Sequence, residues 1–280
     1  MILIADSGST KTDWKLINAQ KEIEDFQTIG FNPYFIDYKD IEKILRKDLI
    51  PKIDCISVRK IYYYGAGCSS KQKCDIVAKV LNNIFINADV TVEHDLLGAS
   101  RSLCGRSEAI VCILGTGSSS CYYDGKNIVE NMPLFGYMFG DEGSSAQFGK
   151  IFIKAYLKDE LPTEIKNIFY KKYKLSNEDI LDCVYKQAYP NRFLASFGMF
   201  FSENIKNPYI YNIVESCFDS FFYYQICRYS NYKSVPVNCV GSIAFYFKDI
   251  LKKVAKKNNV SIKKIVKSPI QGLMEYHLMV

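Results

Sequence analysis

Three patterns of apolar and polar residues recur along this chain, and each predicts a different element. Compact apolar runs at 1–5 (MILIA), 59–64 (RKIYYY) and 109–114 (AIVCIL) suit buried strands. Apolar residues at 41, 44, 45 and 49 recur at helical spacing, so 40–49 is predicted as a helix. So is 71–84. Residues 13–17 (DWKLI), 90–92 and 121–123 read as shorter strands. Residues 6–12 between the first two strands then form the tip of a β-hairpin. The run at 109–114 ends the same way, in GTGSSS with a strand after it, about 110 residues further on. A weaker third instance is VNCVGSIA at 237–244. The region 145–229 is helix-rich and aromatic. The pattern predicts two related α/β lobes built on one strand–turn–strand unit used twice.

Composition narrows the function. A chain of 280 residues, 48% hydrophobic, is long enough for a sizeable core. Net charge is +6 and the basic residues are scattered. The densest run, 252–257 (KKVAKK), reads as the solvated face of a helix, so no nucleic-acid partner is expected. There is no apolar stretch of 18 residues, and the N-terminal run is too short for a signal peptide. No membrane association is expected, and the location is read as cytoplasmic. Ten cysteines include no CxxC pair, so they are read mostly as reduced, buried thiols rather than metal ligands.

The glycine turns carry the candidate chemistry. Lys11 and Thr12 could close a G-x-x-x-x-G-K-[ST] phosphate loop, but Thr10 and Ala5 stand where its two glycines belong. G-x-G-x-x-G is absent after both strands, which excludes the dinucleotide fingerprint. What remains is a tight turn whose amides and hydroxyls can face an anion. Gly8 permits close approach, with Ser9, Thr10 and Thr12 as hydroxyl donors. Gly115, Thr116, Gly117 and Ser118 offer the same chemistry. An acid beside a phosphate needs a cation between them, so Asp6 points to Mg²⁺. A turn-capping aspartate is its alternative reading.

These stretches carry a resemblance. IADSGSTKTDW resembles the first phosphate loop of the actin/hexokinase/heat-shock-chaperone ATPase superfamily, ILGTGSSS its second, and VGSIA its adenosine-side loop. More narrowly, the chain is similar to the N-acetylglucosamine kinase-like members of the BadF/BadG/BcrA/BcrD ATPase family. GFNPY (30–34), EHDLLGAS (93–100), FGYMFGDEGSSAQFGK (135–150) and SPIQGLMEYH (268–277) match in order over nearly the whole chain. The resemblance implies an α/β fold of two ribonuclease H-like (actin-like ATPase) lobes facing each other across a nucleotide cleft. Residues 1–106 plus 266–280 would form one lobe and 107–265 the other. It implies an ATP- and Mg²⁺-dependent kinase that phosphorylates a hydroxyl of an amino sugar, N-acetylglucosamine at its 6-hydroxyl foremost.

The resemblance also implies roles. Asp6 would organise the metal. Gly8, Ser9, Thr10, Lys11 and Thr12 would face the β- and γ-phosphates, with Gly115, Thr116, Gly117 and Ser118 holding phosphates from the second lobe. Gly241 and Ser242 would lie near adenine and ribose. Asp95 would be the catalytic base, although on its own it reads as a helix N-cap. Asn32, Gly67, Gly136 and Asp141 would line the sugar site. The chain departs from the family by keeping only Gly8 where relatives carry two or three glycines. Phe135 and Tyr137 stand where sugar kinases of the group often have tryptophan. The same family includes ATPases that activate 2-hydroxyacyl-CoA dehydratases, and a catalytically silent sugar sensor is a further alternative. The aromatic runs 197–201 and 218–224 are either the second lobe's core or the face of a homodimer.

Overall fold

A computed structural model describes residues 1–278. The strands, in chain order, are β1 (Ile2–Ser7), β2 (Lys11–Ile17), β3 (Ile23–Ile29), β4 (Lys60–Gly65), β5 (Asp89–His94), β6 (Ala109–Leu114), β7 (Ser118–Tyr123), β8 (Ile128–Asn131), β9 (Val237–Val240) and β10 (Ile262–Val266). The helices of the first half are α1 (Tyr38–Asp48), α2 (Lys71–Ile84) and α3 (Asp95–Cys104). Then come α4 (Gly136–Phe139), α5 (Ser145–Leu157), α6 (Thr163–Tyr173), α7 (Asn177–Tyr185), α8 (Pro190–Ala195), α9 (Gly198–Glu203) and α10 (Pro208–Tyr224). Last are α11 (Ser242–Tyr246), α12 (Lys248–Lys257) and α13 (Ile270–Leu278).

The chain divides into two compact units. Unit 1 holds residues 1–107, 125–127 and the C-terminal segment from Ser268. Unit 2 holds 108–124 and 128–267. Each is built on one five-stranded sheet, in the orders β3-β2-β1-β4-β5 and β10-β9-β6-β7-β8. Within unit 1, β1 pairs antiparallel with β2 and parallel with β4. Within unit 2, β6 pairs antiparallel with β7 and parallel with β9. Read from the hairpin outward, the two sheets have one topology. The repeat expected from the apolar runs is therefore a repeat of structure. The third glycine-ended strand, β9, occupies in unit 2 the place of β4 in unit 1.

The unbroken apolar runs follow from burial on both faces. In unit 1, Leu3, Ala5, Ile61 and Tyr63 pack with Trp14 and Leu16 beneath residues of α1 and α2, among them Leu45 and Val80. Ile4 and Tyr64 point the other way, into a smaller cluster with Leu273 and Met274 of α13. Local signals set the helix starts. Asp37 caps α1 through the N–H groups of Lys39 and Asp40, and Ser70 caps α2. Each such cap contributes about 1 kcal/mol.

Several expectations are revised. The first hairpin tip is tighter than 6–12, because Asp6, Ser7, Lys11 and Thr12 all lie in strands. Edge strands β3, β8 and β10 were not anticipated. In the aromatic runs, Phe197, Phe200, Phe201, Phe218, Phe221 and Phe222 are buried in the unit 2 core, so these runs build the core. Among the described residues, no helix is long and apolar enough to cross a membrane. The cysteines are free thiols, with Cys68, Cys112, Cys121, Cys217 and Cys239 buried.

Candidate functional site

In unit 1 the candidate residues gather at the ends of β1, β4 and β5. Asp6 is the penultimate residue of β1. In the antiparallel register it stands opposite Asp13 of β2. Like charges in that position repel. Lys11 partly relieves this by donating to both oxygens of Asp13, at 2.9 and 2.7 Å. Burial, then Asp95, then Asp13 push the Asp6 carboxyl up to about 8, with Lys11 opposing. Ionising Asp6 at neutral pH therefore calls for a cation beside it.

The donors fit Mg²⁺ in one particular way. Among the described residues no group of three or more His, Cys, Asp or Glu could cage a metal. A single hard carboxylate, completed by water and phosphate oxygens, is how Mg²⁺ is commonly held.

The first turn is braced from within. The Gly8 N–H donates to the Lys11 carbonyl at 2.9 Å, so this amide is used inside the turn. Thr12, expected among the phosphate-facing hydroxyls, is fully buried, with Oγ1 2.7 Å from Ser7 Oγ. The pleat explains this, since Ser7 and Thr12 are register partners. Thr12 braces the hairpin, while Ser9 and Thr10 lie in the turn itself and Thr10 is exposed. A Cβ on Gly8 would meet only the Lys11 carbonyl oxygen, at 3.6 Å, so the fold itself does not require glycine there.

Gly30, directly after β3, supports the turn from beneath. Its N–H donates to the Thr10 carbonyl at 3.0 Å. A Cβ on it would lie 2.6 Å from Lys11 N and 2.8 Å from Thr10 C. It is the floor of the turn. Two residues on, Asn32 meets Gly67, whose φ is +79° and whose Cβ would lie 2.6 Å from Asn32 Cγ. Two stretches expected at the sugar thus touch. Asn32 Oδ1 accepts from the Tyr34 N–H, which fixes the amide plane.

Asp95 is the first residue of α3, and His94 occupies the N-cap position, so the N-cap alternative for Asp95 fails by one residue. Asp95 Oδ1 accepts from the Leu96 N–H at 2.8 Å. His94 Nδ1 lies 3.2 Å from Leu96 N and 3.2 Å from Asp95 Oδ1. Nothing in the sequence marked His94 beyond its place beside Asp95.

In unit 2 the candidates form a second group. The Gly115 N–H donates to the Gly117 carbonyl, and the carbonyls of Gly115 and Thr116 accept from Ser145 and Ala146 at the start of α5. A Cβ on Gly115 would meet nothing within 4 Å, whereas one on Gly117 would lie 2.8 Å from Asp141 Oδ1. Asp141 has φ +58°, a conformation that costs a non-glycine residue about 1 kcal/mol. It accepts from the Ser118 N–H at 3.1 Å. Burial and Glu142 raise its carboxyl, against Ser118 and Lys150. The Ser118 hydroxyl is buried without a partner. Gly241, at φ +121°, presses on β6, where a Cβ would lie 2.7 Å from the Leu114 carbonyl carbon. Ser242 is exposed at the first position of α11. Gly136 (φ +66°) joins none of these contacts. It opens the short, exposed α4.

Several known proteins resemble this chain. A protein of Porphyromonas gingivalis provisionally assigned as an N-acetylglucosamine kinase is 41% identical to it, with 99% of this chain and 98% of that one covered and a TM-score of 0.94. This chain belongs to the N-acetylglucosamine kinase-like family. A protein of Chromobacterium violaceum with the same provisional assignment matches at 13% identity and TM-score 0.72, covering 98% of each chain. A ROK family glucokinase from Streptomyces griseus, solved with glucose and AMPPNP, matches at 12% identity and TM-score 0.57, again covering 98% of each. The latter two likenesses extend the fold to sugar-kinase architectures. No family model and no curated protein sequence matches the chain.

Proposed function

We propose that this chain is an ATP-dependent kinase that phosphorylates an amino sugar, with the 6-hydroxyl of N-acetylglucosamine as acceptor and Mg²⁺ as the metal. The observation that carries the reading is the coupling of Asp6 to Asp95. One carboxylate ends β1 and the other opens α3 after β5, close enough that Asp95 is the largest charge acting on Asp6. A metal-organising acid and a separate base are what phosphoryl transfer to a hydroxyl requires.

Asp95 accepts the proton of the acceptor hydroxyl at its unengaged oxygen. The sugar oxygen forms its bond to the γ-phosphorus as the bond to the bridging oxygen breaks, and the electron pair leaves on ADP. Asp6 would hold Mg²⁺, which would supply neutralisation of phosphate charge. The turn at Gly8, Ser9, Thr10 and Lys11 is the phosphate-facing part of unit 1, with Asn32 and Gly67 as its sugar-facing pair. In unit 2, Gly115, Thr116, Gly117 and Ser118, with Gly241 and Ser242, are the nucleotide-facing residues. Asp141 and Gly136 are that unit's sugar-side residues.

The test is ADP release from Mg-ATP in the presence of a panel of amino sugars and plain hexoses. Release should depend on N-acetylglucosamine. Asp95→Asn should lower kcat by about a hundredfold or more, with ADP affinity by calorimetry unchanged. Sugar-independent release, or none, would overturn the proposal.

A further inference from the structure

The turn that carries Asn32 and the loop that carries Gly67 come from different parts of unit 1, and one side chain ties them together. The turn first closes on itself. The N–H groups of Phe35 and Ile36 donate to the Asn32 carbonyl at 2.9 and 3.3 Å, and the Tyr34 N–H donates to Asn32 Oδ1. These bonds do not use the carbonyl of Pro33. Pro33 is buried, and a buried carbonyl needs a donor. Lys73, in the first turn of α2, is that donor, with Nζ 2.8 Å from the Pro33 carbonyl oxygen. The same ammonium stands 4.4 Å from the centroid of the Tyr34 ring. The hydroxyl of that ring in turn meets Ser69 Oγ at 2.9 Å. Asp75, the acid of α2, pairs with Lys71 instead of Lys73.

We propose that Lys73 is a positioning residue of the sugar-facing pair, clamping the turn that presents Asn32 to the helix that follows Gly67. A Cβ on Gly67 would lie 2.6 Å from Asn32 Cγ, so the two residues are in direct contact. A shift of the turn by about 1 Å is enough to open such a pair. Phe31, immediately before Asn32, is anchored in the core and stacks on Tyr63. Beyond it, the side chains of Tyr34 and Phe35 are exposed, so Lys73 supplies there a restraint that core packing does not. One ammonium holds the turn twice, by a charge-assisted hydrogen bond to the backbone and by attraction to the ring face. The effect on sugar rests on the reading of Asn32 and Gly67 as the sugar-facing pair, whereas the clamp rests on these contacts alone.

Two variants test it. Lys73→Met keeps most of the aliphatic stem but loses the charge and the donor, while Lys73→Arg keeps both. In Lys73→Met, amide hydrogen exchange at Tyr34, Phe35 and Ile36 should speed up about tenfold. Exchange at Ile41 and Leu45 of α1 should stay as in the wild type. The KM for N-acetylglucosamine should rise about tenfold, with kcat within about twofold and ADP affinity by calorimetry unchanged. A lysine that merely stabilised the fold would lower the melting temperature and ADP affinity as well. Lys73→Arg should bring exchange and KM back to within about threefold of wild type. Wild-type exchange or a wild-type KM in Lys73→Met would overturn the proposal. So would a loss of ADP affinity as large as the loss for sugar, or an Arg variant no better than the Met variant. Absence of sugar-dependent turnover in the wild type would defeat the kinase reading, while hydrogen exchange would still decide the clamp.

Discussion

Glycines separate structural from ligand-directed demands residue by residue. At Gly30 the protein itself forbids a side chain, because a Cβ would enter the backbone of the first turn, 2.6 Å from Lys11 N. At Gly8 nothing in the protein objects, since the nearest atom to a Cβ would be 3.6 Å away. A glycine that the fold does not need, in a turn beside an acid, points to close approach by a ligand. The two positions should therefore respond differently to alanine. Gly8→Ala should leave the melting temperature within about 1 °C of wild type yet weaken ADP binding about tenfold. Gly30→Ala should lower both, with a stability loss of about 1–3 kcal/mol from overpacking. Calorimetric ADP titrations beside thermal melts of the two variants decide this. If Gly8→Ala binds ADP normally, the turn does not face phosphate. Gly8 and Asp6 were legible as chemistry because their residue types stand together in a short stretch. Gly30 was not, because its importance lies in a contact: it is about twenty residues from the turn it supports.

Elements were legible in proportion to their burial. Strands β1, β4 and β6 carry their apolar residues in compact runs because both of their faces are covered. The unanticipated strands are the edges. β3 (IEDFQTI) and β10 (IKKIV) interleave charges with apolar residues, as edges do to discourage pairing with other chains. Helix α3 shows how element packing reaches the site. Gly98 lets it lie against β4, where a Cβ would come 2.7 Å from the Tyr64 ring carbon Cγ and 2.8 Å from Tyr64 Cβ. Alanine would ordinarily improve a helix interior by about 1 kcal/mol. Here the obstructing atoms sit at the base of a fully buried side chain that cannot swing away, and overpacking of this kind costs about 1–3 kcal/mol. The steric term wins, so Gly98→Ala should be destabilising in urea unfolding, by about 1–2 kcal/mol. Because α3 begins at Asp95, kcat should fall with it. A stabilised Gly98→Ala variant would mean that α3 can move off β4 freely.

At the scale of the whole molecule, one topology is used twice but the acids are not. β1 delivers Asp6, and β5 leads to Asp95. The corresponding positions in unit 2 are Ile113 of β6 and the end of β10, Val266 followed by Lys267. The strand-end acids thus belong to unit 1, whereas Asp141 of unit 2 lies between α4 and α5, and unit 1 is completed only when the chain returns. It leaves after Ser107 and comes back at Ser268, bringing α13. That helix closes on the sheet through His277, which stacks on Tyr62 with ring centroids 3.7 Å apart and meets the Tyr64 hydroxyl through Nε2 at 2.8 Å. Arg101 donates to the same hydroxyl, so Tyr64 has its hydrogen free for Nε2 and His277 is held neutral. Burial, and then Arg101, bring its pKa down from 6.5 to about 4. Between those values the unfolded chain binds a proton that the folded chain refuses, so stability is lost as pH falls through this window and is fully present above 6.5. Carboxylates add their own acid sensitivity below about pH 5, so the contribution of His277 must be read by difference. Urea midpoints at pH 7.0, 5.5 and 4.5 should fall more steeply for the wild type than for His277→Gln, which cannot gain the charge. Parallel slopes would mean that His277 titrates alike in the folded and unfolded chains.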